Sequence, residues 1–115
     1  MLPKEFERWI DRFVILFPET ADWINRIPAE RRGPMLAAWA KELESVEYRD
    51  VLAATDLMFG GDDPEFPPLG VMFGDRERTP AHVKRLARKV SHRRSQAQAK
   101  RNEDQRRRED KLHGG

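Results

Sequence analysis

The side chains in this sequence that could do chemistry are three histidines, a short acidic run and a long series of cations. His82, His92 and His113 all lie in the basic C-terminal region. No two of them are four residues apart and none stands in a metal-ligand pattern, so their spacing reads as solvated polar side chains. Asp62, Asp63 and Glu65 could suggest a calcium loop. The twelve-residue ligand pattern with its closing Glu is missing, however, and Pro64, Pro67 and Pro68 would hinder such a loop. Gly60-Gly61 is not followed by the Lys-Ser/Thr of a phosphate cradle. Glu42 and Glu44 read as the solvated face of a helix rather than an acid/base pair. There is no Cys, which excludes disulfides, thiol catalysis and cysteine zinc sites. With no convergent set left, the expectation is a non-enzymatic binding protein with no cofactor and no metal.

The cations are the strongest feature. Lys84, Arg85, Arg88, Lys89, Arg93, Arg94, Lys100, Arg101, Arg106, Arg107 and Arg108 form the candidate binding surface, and Lys111 extends it. Net charge is only +2, but it is divided. Residues 1–74 hold eight Lys/Arg against fourteen Asp/Glu, a balance of −6, and residues 75–115 hold fourteen against six, a balance of +8. Two electrostatic faces suit different partners. The basic stretch could neutralise phosphates and release counterions, giving a steep salt dependence. It carries no interleaved aromatics, so stacking on single-stranded bases is not supported. It could equally dock on an acidic protein surface and order there, or simply keep the chain soluble.

The elements that must carry these groups follow from apolar spacing. Phe6, Trp9, Ile10, Phe13 and Phe17 give a helical stripe that starts near Pro3 and ends at Pro18. Val14, Ile15 and Leu16 make its last turn apolar nearly all round, which suits a central position or a partly covered one. Thr20 is placed to cap a short second helix through about Arg26. A third helix is expected after Pro34, through about Glu44, with Leu36, Trp39, Ala40 and Leu43 on its stripe. A fourth runs from about Glu47 to Phe59 and stops at Gly60-Gly61. Residues 60–68 read as a loop with Phe66 tucked against the head, and residues 69–74 as a buried turn or one helical turn. Thr79-Pro80 signals a cap and first turn, followed by a helix with Val83, Leu86, Ala87 and Val90 on one face. Trp9, Trp23 and Trp39 all fall on apolar stripes and are expected in the core, as are Phe13, Leu43 and Leu52.

All three Trp, all six Phe and the single Tyr lie before residue 74, whereas residues 91–111 offer only Ala97 and Ala99 as apolar side chains. Such a segment cannot offset an ordering entropy of roughly 1–2 kcal/mol per residue by burial. The expected architecture is therefore all-α: a bundle of four to five helices over residues 1–90, and a basic tail over residues 91–115, largely disordered or transiently helical. The charged N-terminus lacks the apolar core of a signal peptide. The longest apolar run, Phe13–Phe17, falls far short of the ~20 residues of a membrane span, so a soluble cytoplasmic protein is expected.

With these elements placed, the stretch from Trp39 to Pro68 resembles the phage replicative-helicase loader/inhibitor family. The resemblance rests on Trp39 and Leu43, then Val51, Ala54 and Leu57, then the aromatic-Pro-Pro of Phe66, Pro67 and Pro68. Phe17-Pro18 near the end of the first helix also fits. It implies a helical head with a mobile C-terminal segment that binds a hexameric replicative helicase, holds it inactive and delivers it to an origin-bound initiator. On this reading the tail is the helicase-binding element, with DNA a further partner of its arginines. The alternatives are a small nucleic-acid-binding protein acting through its basic arm, or a structural interaction module.

Overall fold

A computed structural model describes residues 1–68 and 76–113. Residues 69–74, expected as a buried turn or one helical turn, lie outside the described residues. Five α-helices follow one another: α1 (Pro3–Leu16), α2 (Pro18–Arg26), α3 (Ala29–Glu42), α4 (Tyr48–Gly60) and, after a 3-10 turn (Arg76–Arg78), α5 (Thr79–His113). Among the described residues there is no strand, and no helix is long and apolar enough to cross a membrane. The all-α class read from the spacing holds.

Helix α4 is the hub, packed on α1 on one side and α5 on the other. Its stripe of Val51, Ala54, Thr55 and Met58 is buried, and meets Trp9 and Phe13 of α1 and Val83, Leu86 and Ala87 of α5 in one core. Each large side chain so buried contributes roughly 1.5–3 kcal/mol. Phe6, Trp9 and Phe13 of α1 and Phe17 just after it pack in a row of tilted rings with centroid separations of 5.7, 4.9 and 4.7 Å. The buried Trp9 indole N–H donates to Thr55 Oγ1 at 2.9 Å, and that hydroxyl donates to the Val51 carbonyl at 2.7 Å. The core thus buries its polar atoms with partners. Of the residues expected inside, Phe13, Leu43 and Trp39 are buried, whereas Leu52 and Trp23 are only half-buried against the cluster.

Several local expectations are corrected. α2 begins at Pro18, not at Thr20, because proline suits the first helical turn. Thr20 is buried instead, and its Oγ1 accepts from Arg76 Nη1 at 3.0 Å. α3 begins at Ala29 and carries Pro34 inside it. The early start is held by Arg32, which donates to the carbonyls of Ile27 (2.8 Å) and Asn25 (2.7 Å) at the end of α2. Thr79 does not cap α5. It sits in the first turn, and its hydroxyl donates to the Arg76 carbonyl at 2.6 Å. The last turn of α1 is not closed over: Ile15 remains 77% exposed. At the end of α4, Gly61 takes φ +69°, a left-handed conformation that favours glycine.

The largest difference lies at the C-terminus. The segment from residue 91 onward, expected as largely disordered or transiently helical, continues α5 through His113 without a break at the expected boundary of 90. The packed first turns of α5 provide the nucleus, and Gln, Ala, Lys, Arg and Glu propagate it. Glu103 and Arg107, one turn apart, pair at 2.8 Å. Between Asp104 and Arg108 no ion pair forms. The helix gives the molecule a long axis of 71 Å against 28 and 18 Å across.

Candidate partner-binding interface

Helix α5 carries every candidate cation, and the fold divides them into two groups. The first group is bound to the acidic head. Lys84 reaches Glu42 Oε1 at 3.4 Å, so Glu42 is not simply a solvated helix face. Arg94 forks onto both oxygens of Asp50, the longer contact at 3.4 Å, and lies 3.9 Å from Glu47. Asp50 is buried, in the first turn of α4, where the positive end of the helix dipole favours a carboxylate. Arg93 bonds to Asp63 at 2.7 Å and to Glu65.

The guanidinium of Arg93 also lies 4.7 Å above the Phe66 ring, adding a cation–π contact. Hydrogen bonds to Asp63 and Glu65 raise its pKa. Those from Arg93 and the Glu65 amide hold the Asp63 carboxyl below its ordinary range. Asp63 and Glu65 therefore act as an arginine clasp. Phe66 is fully buried beneath it, as the loop reading expected.

His82 departs from its sequence reading. It is buried rather than solvated, at 4% exposure. Its Nε2 lies 3.3 Å from the Pro67 carbonyl, and its Nδ1 lies 3.0 Å from Arg85 Nη2. A carbonyl requires a donor and a guanidinium requires an acceptor, so the two contacts together select the neutral ring with its proton on Nε2. Burial pushes its pKa down, and the nearby positive charge of Arg85 and Lys89 acts in the same direction. The signal in the sequence was its place three residues after Thr79 and four before Leu86, both buried, which puts it on the same face.

The second group is turned to water. Arg85, Arg88 and Lys89 are exposed, with His92 beside them, and their i, i+3, i+4, i+7 spacing puts all four on one face. No acidic residue occurs on α5 from Thr79 to Asn102. Lys100, Arg101, Arg106 and Arg108 are likewise exposed. Arg101 bonds only to Gln98 at 3.2 Å, and Arg107 is held by Glu103. From Ser95 to Lys111 every residue is exposed. Over those seventeen residues, at ~1.5 Å each, the arm stands clear of the head for about 25 Å.

Among the described residues no group of three His, Asp or Glu stands close enough to hold a metal ion. The remaining chemistry of this surface is charge and hydrogen-bond donation from guanidinium and ammonium groups. Compared with known proteins, the chain matches no family model, and no curated protein or solved structure gives a significant match to it.

Proposed function

We propose that this chain is a non-enzymatic DNA-replication accessory protein of phage or prophage type, whose helical arm binds a replicative helicase and loads or inhibits it. The observation that carries the reading is the arm itself: α5 runs on from Ser95 to Lys111 with every side chain exposed. A solvated helix of that length has no role in stabilising the head, and a ready-made helix suits docking into a partner's groove. The resemblance of Trp39, Leu43, Phe66, Pro67 and Pro68 to the helicase loader/inhibitor family supplies the partner class. The head, on this reading, is a scaffold that fixes the root of the arm through Arg93 and Arg94.

The test is co-elution with a purified hexameric replicative helicase of the host. Full-length chain should co-elute, and a chain truncated after Ser95 should not, while keeping its thermal midpoint. Truncation belongs after Ser95 because Arg93 and Arg94 still hold the head. Co-elution of the truncated chain would refute the arm's role, and failure of the full chain would refute the helicase reading.

A second reading, nucleic-acid binding, is favoured by one specific observation: the acid-free face of Arg85, Arg88, Lys89 and His92. Binding to duplex DNA would then weaken steeply with salt, and Arg88→Ala with Lys89→Ala would lower the salt slope by about 2. An unchanged slope would remove this face from consideration.

A further inference from the structure

Away from the arm, α2, α3 and the first turn of α5 leave an open cleft of about 830 Å3 between them. Its floor is an aromatic pair: Trp23 stacks on the buried Trp39 with centroids 6.0 Å apart and planes 15° from parallel. Ile27, Pro28, Met35 and Ala38 wall it on one side and Pro80 on the other. A concave apolar surface of this size holds the large side chain of a partner, not a flat contact.

The charges at its rim run against the rest of the head. Arg26 and Arg31 line the cleft, are exposed, and have no ion-pair partner among the described residues. Glu42 is matched by Lys84, and Glu77 and Arg78, adjacent in the chain, carry opposite charges. The lining thus carries three positive charges against two negative, with Arg26 and Arg31 the unmatched pair, on a head whose first 74 residues sum to −6. An acidic segment would be repelled by the acidic surfaces of α1 to α4 and favoured beside Arg26 and Arg31, which helps to set its orientation at this cleft. The rim is also pre-ordered. Arg32, next to Arg31, ties α3 to the last carbonyls of α2, which reduces the ordering cost of binding.

We propose that the Trp23–Trp39 cleft is a docking site for an acidic segment of a partner protein carrying one large apolar anchor. The anchor packs on Trp23, and carboxylates on either side pair with Arg26 and Arg31. A single-stranded nucleobase is the less fitting occupant. One face of Trp23 is already covered by Trp39, so a base could stack on one side only, and no second exposed aromatic lines the cleft to sandwich it. The site is independent of the arm: Ala81, on the cleft, and Ser95, where the exposed arm begins, are fourteen residues apart on α5, about 21 Å. Both could be occupied at once.

The probes are three acidic dodecapeptides with Leu, Ile or Phe at the centre, followed through the indole N–H resonances of the full-length protein. At least one should shift the Trp23 resonance and saturate below about 1 mM, leaving that of Trp9 unmoved. Replacing its central residue by Ser should abolish the shift, and replacing its acids by Lys should weaken binding at least tenfold. Arg26→Ala with Arg31→Ala should also weaken it about tenfold, at an unchanged thermal midpoint because both residues are exposed. The proposal is overturned if none of the three saturates, if the Lys-flanked peptide binds as well, or if oligo-dT shifts Trp23 where the peptides do not. None of these results bears on helicase co-elution.

Discussion

Replacing Arg94 by Met should destabilise the protein far more than replacing its partner Asp50 by Asn, because the two ends of this ion pair sit in different surroundings. The Asp50 side chain is 4% exposed and that of Arg94 35%. Removing the arginine strands a buried carboxylate, a loss that in a dry interior reaches about 3–5 kcal/mol. Two features lower it here. Water reaches the Arg94 position, and the first turn of α4 still favours a negative charge at Asp50, by about 0.3–1 kcal/mol. About 2 kcal/mol remains, near 30-fold in the unfolding equilibrium and roughly 10 °C in Tm for a domain of this size. Asp50→Asn leaves an arginine that can turn outward into water, and should cost about 1 kcal/mol. The double variant should cost less than the two single losses added, since the stranded charge is gone. Urea unfolding followed by circular dichroism supplies all four stabilities. An Arg94→Met cost under about 0.5 kcal/mol, or one below that of Asp50→Asn, would show that Arg94 does not anchor the arm.

Two further outcomes follow from the core. Trp39→Ala empties the floor beneath Trp23 and should cost about 3–5 kcal/mol, enough to unfold much of the chain, as read from its thermal midpoint. His82 gives a pH dependence whose sign is set by burial. Its folded pKa lies below the ordinary 6.5, so at acid pH the unfolded chain takes up a proton that the folded ring refuses. Its contribution to stability is complete above about pH 6.5 and is lost as pH falls through the lowered folded value. Urea midpoints between pH 7.5 and 5 should drop, and His82→Gln should flatten that drop. An unchanged slope in the variant would mean that another group controls it.

Much of the scaffold was legible because helical burial leaves a periodic trace. Phe6, Trp9 and Phe13, then Val51, Ala54 and Met58, then Val83, Leu86 and Ala87 repeat at three and four residues, and all are buried. Gly61 and Phe66 were legible for the same kind of reason: a left-handed stop and an isolated aromatic in a proline-rich loop have few other uses. The start of α3 was not, since Pro34 reads as a boundary and the holding contact, Arg32 to the end of α2, joins two elements across a corner. His82 was misread because its burial depends on where Pro67 and Arg85 come to lie. Ile15 was left open by its stripe, and only the placement of α1 turned it to water.

By itself the sequence determined that the chain is helical, that its aromatic residues form one core, and that acid and base are segregated along it. These are matters of local spacing and composition, and each is written within a few consecutive turns. Only the tertiary structure decided which cations are committed and which are available. Lys84, Arg93 and Arg94 meet carboxylates 28 to 44 residues away, whereas Arg88 and Lys89, of the same type and on the same helix, face solvent. It also brought Trp23 and Trp39 together with Arg26 and Arg31 around one cleft. Contacts between residues so far apart in the chain arise from how whole helices pack, and no periodicity along a single helix encodes them.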